Sequence, residues 1–351
     1  MRVVLVLMMV PGFLCNTMFT KIESCLDPPQ APDTYFTAKG LSSIECGVLC
    51  GQDDRCRAFS VREGNGSTCY LSTERIRLDY GCSSQFKHFN EFDSRCHFHG
   101  IFINSTYGCR CYDGYIGSWC ARLMQDCTEG WKTDHYKGTK EAYYIQPFNS
   151  PVHFKVFCKM SHGGKTFLMN QRFEFPSVNF SRPWAEYKHG FGDYRRNGNH
   201  WTGLNMLHYV TTNRPHQFVV MVDFKEAGEI HWRQLFYKNF TVTSEVDGYR
   251  FDFLSSAPNV FGGKNHKLED GLSAFQGARF STYDTDNDLS GDNCADIHQS
   301  GWWFTTCGGY NPTGQPQSPA VQNKTSDPTH MSWPHHLGYS AIYIQLYVQA
   351  T

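Results

Sequence analysis

The spacing of the cysteines constrains this chain more than any other feature of its sequence. Ten of the fifteen cysteines stand between Cys25 and Cys120, and only four follow. Dense cysteines are typical of modules that are too small to bury a sufficient core, whereas a segment as long as 124–351 can fold around a core of its own. The sequence therefore predicts small disulfide-rich modules followed by one large domain.

The first residues are typical of a secretory signal peptide. Arg2 supplies a positive charge, and the apolar run 3–10 is too short to span a bilayer. We assign residues 1–19 to the signal, with cleavage between Cys15 and Ser24; a buried N-terminal strand is the alternative. Cys15 then leaves with the signal, and the fourteen cysteines that remain are an even number, as disulfides in an oxidising extracellular environment require.

Zinc binding is the alternative use of so many cysteines. Its ligand pairs usually occur as CxxC or HxxxH, and the sequence contains neither pattern. Five N-x-S/T sequons also favour secretion and predict glycosylation at Asn65, Asn104, Asn179, Asn239 and Asn323. The net charge of −1 gives no sign of a nucleic-acid partner.

Residues 20–90 carry six cysteines together with helix and strand signals. The run LSSIECGVLCGQDDRC predicts a helix capped by Ser42 or Ser43, and CRAFSVREGNGSTCYLS predicts two short strands around a Gly-Asn-Gly turn. Spacing alone allows 15 pairings of six cysteines. The pattern resembles the PAN/apple module, a small disulfide-rich α+β unit that binds proteins or glycans; a disulfide-held spacer is an equally good interpretation. The resemblance implies the pairs Cys25–Cys82, Cys46–Cys69 and Cys50–Cys56.

Residues 92–121 end in C-x-C-x8-C with two glycines inside the last interval. This ending resembles the EGF-like module, a small β module with six cysteines, of which four are present here. Cys96 matches the second cysteine of that pattern, and Phe102 stands where the third would be, so one whole bridge is missing. We expect a small stapled spacer without a metal ion. The resemblance implies the pairs Cys96–Cys109 and Cys111–Cys120.

The segment 124–351 combines strand-like alternation with one helical run. Apolar and polar residues alternate in VHFKVFCKM, KTFLMNQRF, QFVVMVDF, YRFDF and AIYIQLYV, and TGLNMLHYVT has helical periodicity. These patterns predict a large α+β domain with substantial loops.

The same segment resembles a fibrinogen C-terminal domain along its whole length. The matching motifs are, in order, DC, FCKM, GGKTFLMNQR, NFSRPWAEYKHGFGDY, HWTGLNMLHYVT, FSTYDTDND, GDNCA and GWWFTTC. The resemblance implies a fold of that family and the pairs Cys127–Cys158 and Cys294–Cys307. Three, two and two bridges then account for all the cysteines that remain after the signal.

Three aspartates alternate at Asp284, Asp286 and Asp288, just before Cys294. A dense run of oxygen donors suits Ca²⁺, which takes six to eight oxygen ligands. The alternative is a metal-free turn, in which close carboxylates would repel each other. The resemblance implies a structural calcium ion, with Asp284 only in a loop hydrogen bond. Its implied ligands are the carboxylates of Asp286 and Asp288 and the main-chain carbonyls of Ser290 and Asp292.

The resemblance also implies a ligand pocket after the second cysteine of this loop. In the family the peptide bond before that cysteine is cis, which here implies a cis Thr306–Cys307 bond. In lectin-like members, main-chain amides at this bond help to bind an acetyl group. Those members usually read CHxSNLNG, whereas this chain reads CGGYNPTG. We therefore expect a pocket of altered specificity, with Tyr310 as the best candidate for a ligand-facing side chain. The predicted ligand-binding residues are Thr306, Cys307, Gly308, Tyr310 and Asn311.

Two further features flank this pocket. Trp302 and Trp303 are interpreted as core residues in preference to ligand contacts. The segment GQPQSPAVQNKTSDPTHMSWPHHLG is rich in Pro, Gln and Ser, and it predicts an irregular loop at the pocket rim.

These features together predict a secreted, calcium-binding recognition protein that binds glycans or microbial surfaces as a lectin does. The alternative is an extracellular-matrix or receptor-ligand protein that binds protein partners through the same domain. We expect no enzyme, because the sequence shows no nucleophile elbow and no HExxH motif, and every cysteine after the signal has a partner. An oligomer is possible, but the sequence contains no coiled-coil heptads and no collagen-like repeat that would form one.

Overall fold

The computed structural model describes most of the chain. The described residues are 18–22, 34–53, 55–62, 67–73, 86–92, 96–97, 99–104, 108–173, 178–226, 229–259, 270–308, 310–316, 318, 327–333 and 341–351. They form two compact units, Met1–Arg122 and Leu123–Thr351. Most of the expected signal peptide and the expected Cys25–Cys82 pair lie outside the described residues.

The first unit contains a five-stranded antiparallel sheet with the strand order β1-β5-β3-β4-β2 and one helix. Helix α1 is capped by Ser42, one of the two caps that the sequence predicts, and the cap is a capping box. The Ser42 hydroxyl accepts from the Glu45 amide at 3.3 Å, and the Glu45 carboxylate accepts from the Ser42 amide at 2.8 Å. The elements are β1 (Met18–Ile22), β2 (Thr34–Lys39), α1 (Ser43–Gly51), β3 (Ala58–Arg62), β4 (Thr68–Ser72) and β5 (Phe86–Phe92).

Cysteines make up most of the core beneath α1. Cys46 and Cys50 lie four residues apart and therefore face the same side of the helix. Disulfides join them to Cys69 and Cys56, respectively, which are the partners that the resemblance implies. These bonds hold α1 against strand β4 and against the segment that leads into β3. The buried cluster consists of Cys46, Cys50, Cys56, Phe59, Val61, Cys69 and Leu71.

Short strands and two more disulfides follow in this unit. The disulfides are Cys96–Cys109 and Cys111–Cys120, again the pairs that the resemblance implies. Phe102, which stands where the EGF-like pattern has a cysteine, packs against these four buried cysteines and stacks on Trp119 at 6.2 Å between ring centroids. An aromatic contact thus lies at the position where the resemblance implies a missing bridge. The strands are β6 (Gly100–Asn104), β7 (Gly108–Cys111), β8 (Tyr115–Ile116) and β9 (Arg122–Leu123).

The second unit is an α+β domain built on one large antiparallel sheet. Seven strands follow the order β10-β11-β12-β20-β15-β16-β19, and the β13–β14 hairpin pairs with β12. The C-terminal strand β20 lies in the middle, between β12 and β15. The elements are α2 (Cys127–Trp131), β10 (Lys140–Ile145), β11 (Phe154–Lys159), β12 (Lys165–Arg172), α3 (Trp184–His189), β13 (Phe191–Gly192), β14 (His200–Trp201), α4 (Leu204–Asn213), β15 (His216–Glu226), β16 (Glu229–Lys238), β17 (Thr241–Val242), β18 (Phe251–Asp252), β19 (Ser255–Asn259), α5 (Cys294–Ile297) and β20 (Ala341–Ala350).

An aromatic cluster fills the core of this domain. The side chains of Tyr187, Trp201, Phe280 and Trp303 are at most 1% exposed. Their ring centroids lie 5.2 Å apart for Tyr187 and Trp201, 5.7 Å for Trp201 and Phe280, and 5.0 Å for Phe280 and Trp303. The indole N–H of Trp201 donates to the Tyr187 carbonyl at 2.9 Å, so burial leaves this polar group satisfied. Trp302 is also buried, as its interpretation as a core residue requires.

A buried carboxylate ties α2 to the sheet. Asp126 caps α2 by accepting from the Glu129 amide at 2.8 Å, and its other oxygen accepts from Arg214 and lies 3.0 Å from Nε2 of His216. Burial alone would raise the pKa of Asp126, but the hydrogen bond from His216 and the charge of Arg214 lower it to about 2. The carboxylate is therefore ionised in the folded state. The Cys127–Cys158 disulfide fixes the same end of α2 to β11.

Two of the predicted glycosylation sites, Asn179 and Asn239, are exposed. Asn104 lies in β6, and Asn65 and Asn323 fall outside the described residues. Within the part of the chain that the structure describes, every helix is too short or too polar to cross a membrane.

Candidate functional site

The alternating aspartates lie in a loop, residues 281–294, which wraps around Asp288 and is called the acidic loop below. One oxygen of the half-buried Asp288 carboxylate accepts from the Ser290 amide at 2.7 Å, and the other accepts from the Cys294 amide at 2.9 Å. The exposed Asp286 accepts from the amide of Asp288 at 3.2 Å. Two of the predicted metal ligands, Asp286 and Asp288, are thus adjacent, and each keeps oxygen lone pairs that these hydrogen bonds do not use.

The electrostatics of this loop favour a bound cation. Burial raises the pKa of Asp288, and the negative charge of Asp286 raises it further. The disulfide sulfurs of Cys294 and Cys307 also lie near the Asp288 carboxylate, but they are bonded to each other and are not thiolate ligands. The predicted ligand atoms of Asp286, Asp288, Ser290 and Asp292 are all oxygens, and oxygen ligands fit a hard cation such as Ca²⁺.

Asp284 has a different role from its two neighbours. Its carboxylate accepts from the amide of Trp184 at 2.9 Å and from the hydroxyl of Thr282 at 2.7 Å. It therefore joins the acidic loop to the start of α3. This contact agrees with the loop hydrogen bond that the sequence analysis assigns to it.

The acidic loop is bonded directly to the segment that carries the predicted ligand-binding residues, 306–311, which is called the ligand loop below. The Cys294–Cys307 disulfide closes it, and the amide of Leu289 donates to the carbonyl of Thr305 at 3.0 Å. Gly308 is exposed, and a Cβ at that position would have no atom within 4 Å. The described residues contain no cis peptide bond, so the bond before Cys307 is trans. This corrects the cis geometry that the resemblance implies; trans is the lower-energy form of a non-prolyl bond.

Tyr310 forms a wall of this region with its ring but not with its hydroxyl group. The half-buried ring packs against Phe275 at 5.2 Å and Trp333 at 5.3 Å between centroids. The hydroxyl group is buried without a hydrogen-bond partner, close to Gly271. Burial raises the pKa of this phenol, and the nearby Tyr237 and Asp270 raise it further. The buried hydroxyl group does not face solvent, so the predicted ligand contact of Tyr310 is left to the edge of its ring.

Asn311 is a structural residue, which corrects its prediction as a ligand contact. Its side chain is 1% exposed. The amide nitrogen donates to the carbonyls of His298 at 2.8 Å and Pro328 at 3.0 Å, and the amide oxygen accepts from the Ser300 hydroxyl at 2.7 Å. No polar atom of this side chain is left for a ligand. The predicted ligand residues that are exposed or half-buried are Thr306, Cys307, Gly308 and Tyr310.

His298, which the sequence analysis did not single out, holds this region together. Its ring is buried and stacked on Phe304 at 4.8 Å between centroids. Nδ1 lies 2.8 Å from the carbonyl of Pro328, and Nε2 lies 3.1 Å from the carbonyl of Cys307. The imidazole thus links the ligand loop to the described rim residues 327–333. Its position four residues after Cys294, on one face of α5, was the available signal.

The comparisons with known proteins agree with this architecture. Residues 123–349 match the family described as fibrinogen beta and gamma chains, C-terminal globular domain. Fibrinogen-like protein 1 of Bos taurus is 35% identical over 198 residues, which cover 55% of this chain and 61% of that protein. The match thus spans less than two thirds of that relative's length.

Two solved structures share the fold. The fibrinogen-like globe domain of human ANGPTL6 matches 65% of this chain and 96% of its own, with 25% identity and a TM-score of 0.55. A lamprey fibrin D-dimer, complexed with the peptide ligand Gly-His-Arg-Pro-amide, matches 64% of this chain and 73% of its own, with 25% identity and a TM-score of 0.52. From residue 123 onward, this protein belongs to the family of the C-terminal globular domain of the fibrinogen beta and gamma chains.

Proposed function

We propose that this chain is a secreted, calcium-dependent recognition protein that binds glycans with the loop Thr306–Gly308 beside the acidic loop. The observation that carries the proposal is the hydrogen bond between Leu289 and Thr305, since it joins the two loops directly. The disulfides favour an extracellular location, because such bonds persist in oxidising compartments. On this proposal the protein is a binding module and not an enzyme.

Calcium has a structural role in this proposal. The carboxylates of Asp286 and Asp288, with the main-chain carbonyls of Ser290 and Asp292, would hold the ion. A bound Ca²⁺ would neutralise the two adjacent carboxylates and lower the cost of keeping both ionised. The loop would then fix Thr305, and through it the orientation of the exposed amides that follow.

The ligand surface combines exposed main-chain groups with an aromatic edge. Thr306 and Gly308 leave the backbone open, and the half-buried ring of Tyr310, which packs on the buried Trp333, supplies an apolar edge. Sugars suit such a surface, because their hydroxyl or acetamido groups bond to amides while their apolar faces pack on rings. Gly308 in place of a larger residue leaves room for a bulkier ligand than an acetyl group.

Binding of a protein partner at the same loop is the second candidate function. The complex of lamprey fibrin with Gly-His-Arg-Pro-amide shows that a protein of this fold binds a peptide. A peptide with a free amino terminus would bring a positive charge, and the acidic loop carries uncompensated carboxylates for it.

The calcium site is tested first, by thermal unfolding with calcium and with a chelator. We expect calcium to raise the unfolding temperature of the wild type and to have no effect on Asp286→Asn or Asp288→Asn. Asp296→Asn, an exposed acid on α5 outside the expected ligand set, is the matched control and should respond as the wild type does. A wild type that does not respond to calcium would contradict the metal assignment.

The ligand is tested by binding to acetylated glycan, non-acetylated glycan and Gly-His-Arg-Pro-amide surfaces, each with calcium and then with chelator. Calcium-dependent binding to either glycan, abolished by Gly308→Arg without a change in unfolding temperature, supports the lectin function. Binding to the peptide alone would replace it with the second candidate. Binding to none of the three, by a folded protein, would reject both candidates.

A further inference from the structure

Three lysines stand side by side on adjacent strands of the large sheet. Lys140 of β10 is directly opposite Lys159 of β11, and Lys159 is directly opposite Lys165 of β12. Adjacent strands are about 4.8 Å apart, so the three side chains leave the sheet within about 10 Å of one another. Like charges that are directly opposite destabilise an antiparallel pair. This lysine row therefore needs a physical explanation.

The lysine row lies on the face of the sheet that does not carry the aromatic core. Cys158 and Thr166, the neighbours of Lys159 and Lys165 on the opposite face, are buried, whereas these two lysines are half-buried and Lys140 is exposed. The same row continues across the sheet through Gln349 and Gln217, which are paired in register and bonded to each other at 3.1 Å.

Lys238 marks the far end of this row. It follows Phe236 by two residues on β16, and Phe236 pairs with Val219 on the same face. From β10 to β16 the row crosses six strands, which corresponds to about 24 Å. The face thus presents a line of ammonium groups joined by two glutamine side chains. Gln217 donates to Gln349, and Gln349 donates to the carbonyl of His162 at 2.7 Å.

These lysines have no acidic partner among the described residues. None of the ion pairs there includes Lys140, Lys159, Lys165 or Lys238. The Nζ of Lys165 lies 4.5 Å from the ring centroid of Tyr347, which is its one charge-stabilising contact in that part of the chain. Burial lowers the pKa of Lys159, and the neighbouring Lys140 lowers it further. The row is thus an arrangement of charges that a bound anion would stabilise.

Coverage of apolar surface explains part of the row but not its charges. The next row of the same face contains Phe157, Phe167, Tyr347 and Val219, which are buried, and lysine stems can cover such a surface. Glutamine or methionine would cover it equally well without like-charge repulsion. The positive charges are what remains to be explained.

We propose that the row Lys140–Lys159–Lys165, extended by Gln349, Gln217 and Lys238, binds a linear sulfated polysaccharide. The sulfates would lie over the lysine ammonium groups, and the polysaccharide would cross the strands along the row. This binding site shares no residue with the acidic loop or the ligand loop, so binding requires no calcium.

The geometry favours this occupant over the other polyanions. Single-stranded nucleic acid binds through bases stacked on accessible aromatic rings, and the rings beneath the row are buried. A membrane surface would meet a broad basic patch in preference to one line of charges. A sulfated polysaccharide is extended and carries repeated charges, so it can follow a single row of charges across a twisted sheet.

The test is retention of the full chain on immobilised heparin, with calcium and with chelator. We expect binding in both conditions, no binding to fully desulfated heparin, and release by salt because the contacts are ionic. The triple variant Lys140→Gln, Lys159→Gln and Lys165→Gln should lose about tenfold or more in affinity, equivalent to roughly 1.4 kcal/mol. It should also show a weaker dependence of affinity on salt.

Two matched controls separate charge from structure. The triple variant with arginine at the same three positions keeps the charges and should bind within about threefold of the wild type, because arginine also binds sulfate-like oxyanions. The double variant Lys188→Gln and Arg279→Gln removes charge elsewhere in the domain and should bind as the wild type does. If the glutamine triple variant fails to fold, the single variant Lys140→Gln, at an exposed position of an edge strand, still tests the row and should bind measurably less tightly.

Several outcomes would overturn the proposal. These are a folded wild type that heparin does not retain, equal retention of the wild type and of the glutamine variants, and equal retention on desulfated heparin. Displacement by an oligothymidylate as effective as displacement by soluble heparin would show that the row binds polyanions in general. Loss of binding with chelator alone would place the ligand at the calcium loop instead.

Discussion

The two units of this chain are each stabilised internally by different means. In the first unit, four of the seven residues of the buried cluster beneath α1 are cysteines: Cys46, Cys50, Cys56 and Cys69. In the second unit the core is a network of large aromatic rings around Trp201. A small unit cannot bury enough apolar area to offset its chain entropy, so covalent bonds make up the difference.

The acidic loop resembles the first unit more than the domain that carries it. Its side chains are mostly exposed, and backbone hydrogen bonds to Asp288 and the Cys294–Cys307 disulfide define its path. The residues that border it, such as Phe280 and Trp303, belong to the aromatic core. In this loop, as in the first unit, a disulfide thus fixes a segment that has little apolar core of its own.

The largest expected effect is that of removing the centre of the aromatic core. Trp201→Ala should destabilise the second unit by about 3–5 kcal/mol, because it leaves a cavity among Tyr187, Phe280 and Trp303. Chemical denaturation followed by fluorescence measures the loss. Trp119→Ala in the first unit is the control: that side chain is 47% exposed, so less than about 1 kcal/mol should be lost. Equal losses at the two positions would contradict the contrast between the units.

The next largest effect is expected for a disulfide of the first unit. Cys46→Ala with Cys69→Ala opens a loop of 23 residues and should cost about 3 kcal/mol. We expect the first unit to lose its protection from hydrogen exchange while the second unit keeps its own.

The matching change in the second unit sharpens this comparison. Cys127→Ala with Cys158→Ala opens a longer loop, of 31 residues, so chain entropy alone predicts at least as large a cost. The second unit should nevertheless stay folded, because its aromatic core does not depend on that bond. Unfolding of the second unit by this change would show that both units depend on disulfides equally.

The sequence predicts those elements whose signals are local. α1 follows from its serine cap, α4 from its helical period, and β11, β12, β15 and β20 from alternation within one short run. The predicted strands do not include β16, because Arg233 interrupts its pattern. This arginine is 5% exposed and lies over the Phe224 ring at 5.7 Å, a contact supplied by β15. A buried cation thus disguises this strand, which lies between β15 and the edge strand β19.

The order of the strands and the orientation of the site side chains are not local properties. β20 lies between β12 and β15 in the sheet. In the sequence, however, β20 is much farther from both strands than most paired strands are from each other. Tyr310 and Asn311 are adjacent in a loop that sequence patterns mark as irregular. Their burial depends on Phe275 and Pro328, which come from separate segments. The sequence pattern indicates an irregular loop, but it does not determine which side chains of that loop point inward.

A smaller effect is expected from the buried carboxylate of the second unit. The pKa of Asp126 is about 2 in the folded state, below its value of roughly 3.9 in an unfolded chain. Its stabilising contribution is therefore fully present above pH 4 and is lost as the pH falls from about 4 to about 2, by roughly 2 kcal/mol in total. Urea unfolding between pH 2 and pH 6 measures this slope. Asp126→Asn should flatten it, and Asp134→Asn, at an exposed position, should leave it unchanged.

The smallest expected effect on stability is at Tyr310, where the ligand loop meets the core, and it is a gain in stability instead of a loss. Tyr310→Phe removes a buried hydroxyl group that has no hydrogen-bond partner, so it should stabilise the domain by up to about 1 kcal/mol. The neighbouring Tyr237 donates to Asp270 at 3.1 Å, so Tyr237→Phe should destabilise by about 1 kcal/mol. Thermal unfolding of the two variants compares the same chemical change in two settings. A loss of stability in Tyr310→Phe would mean that its hydroxyl group has a partner, such as an ordered water molecule. A gain, together with unchanged ligand binding, would show that only the ring of Tyr310 serves the ligand surface.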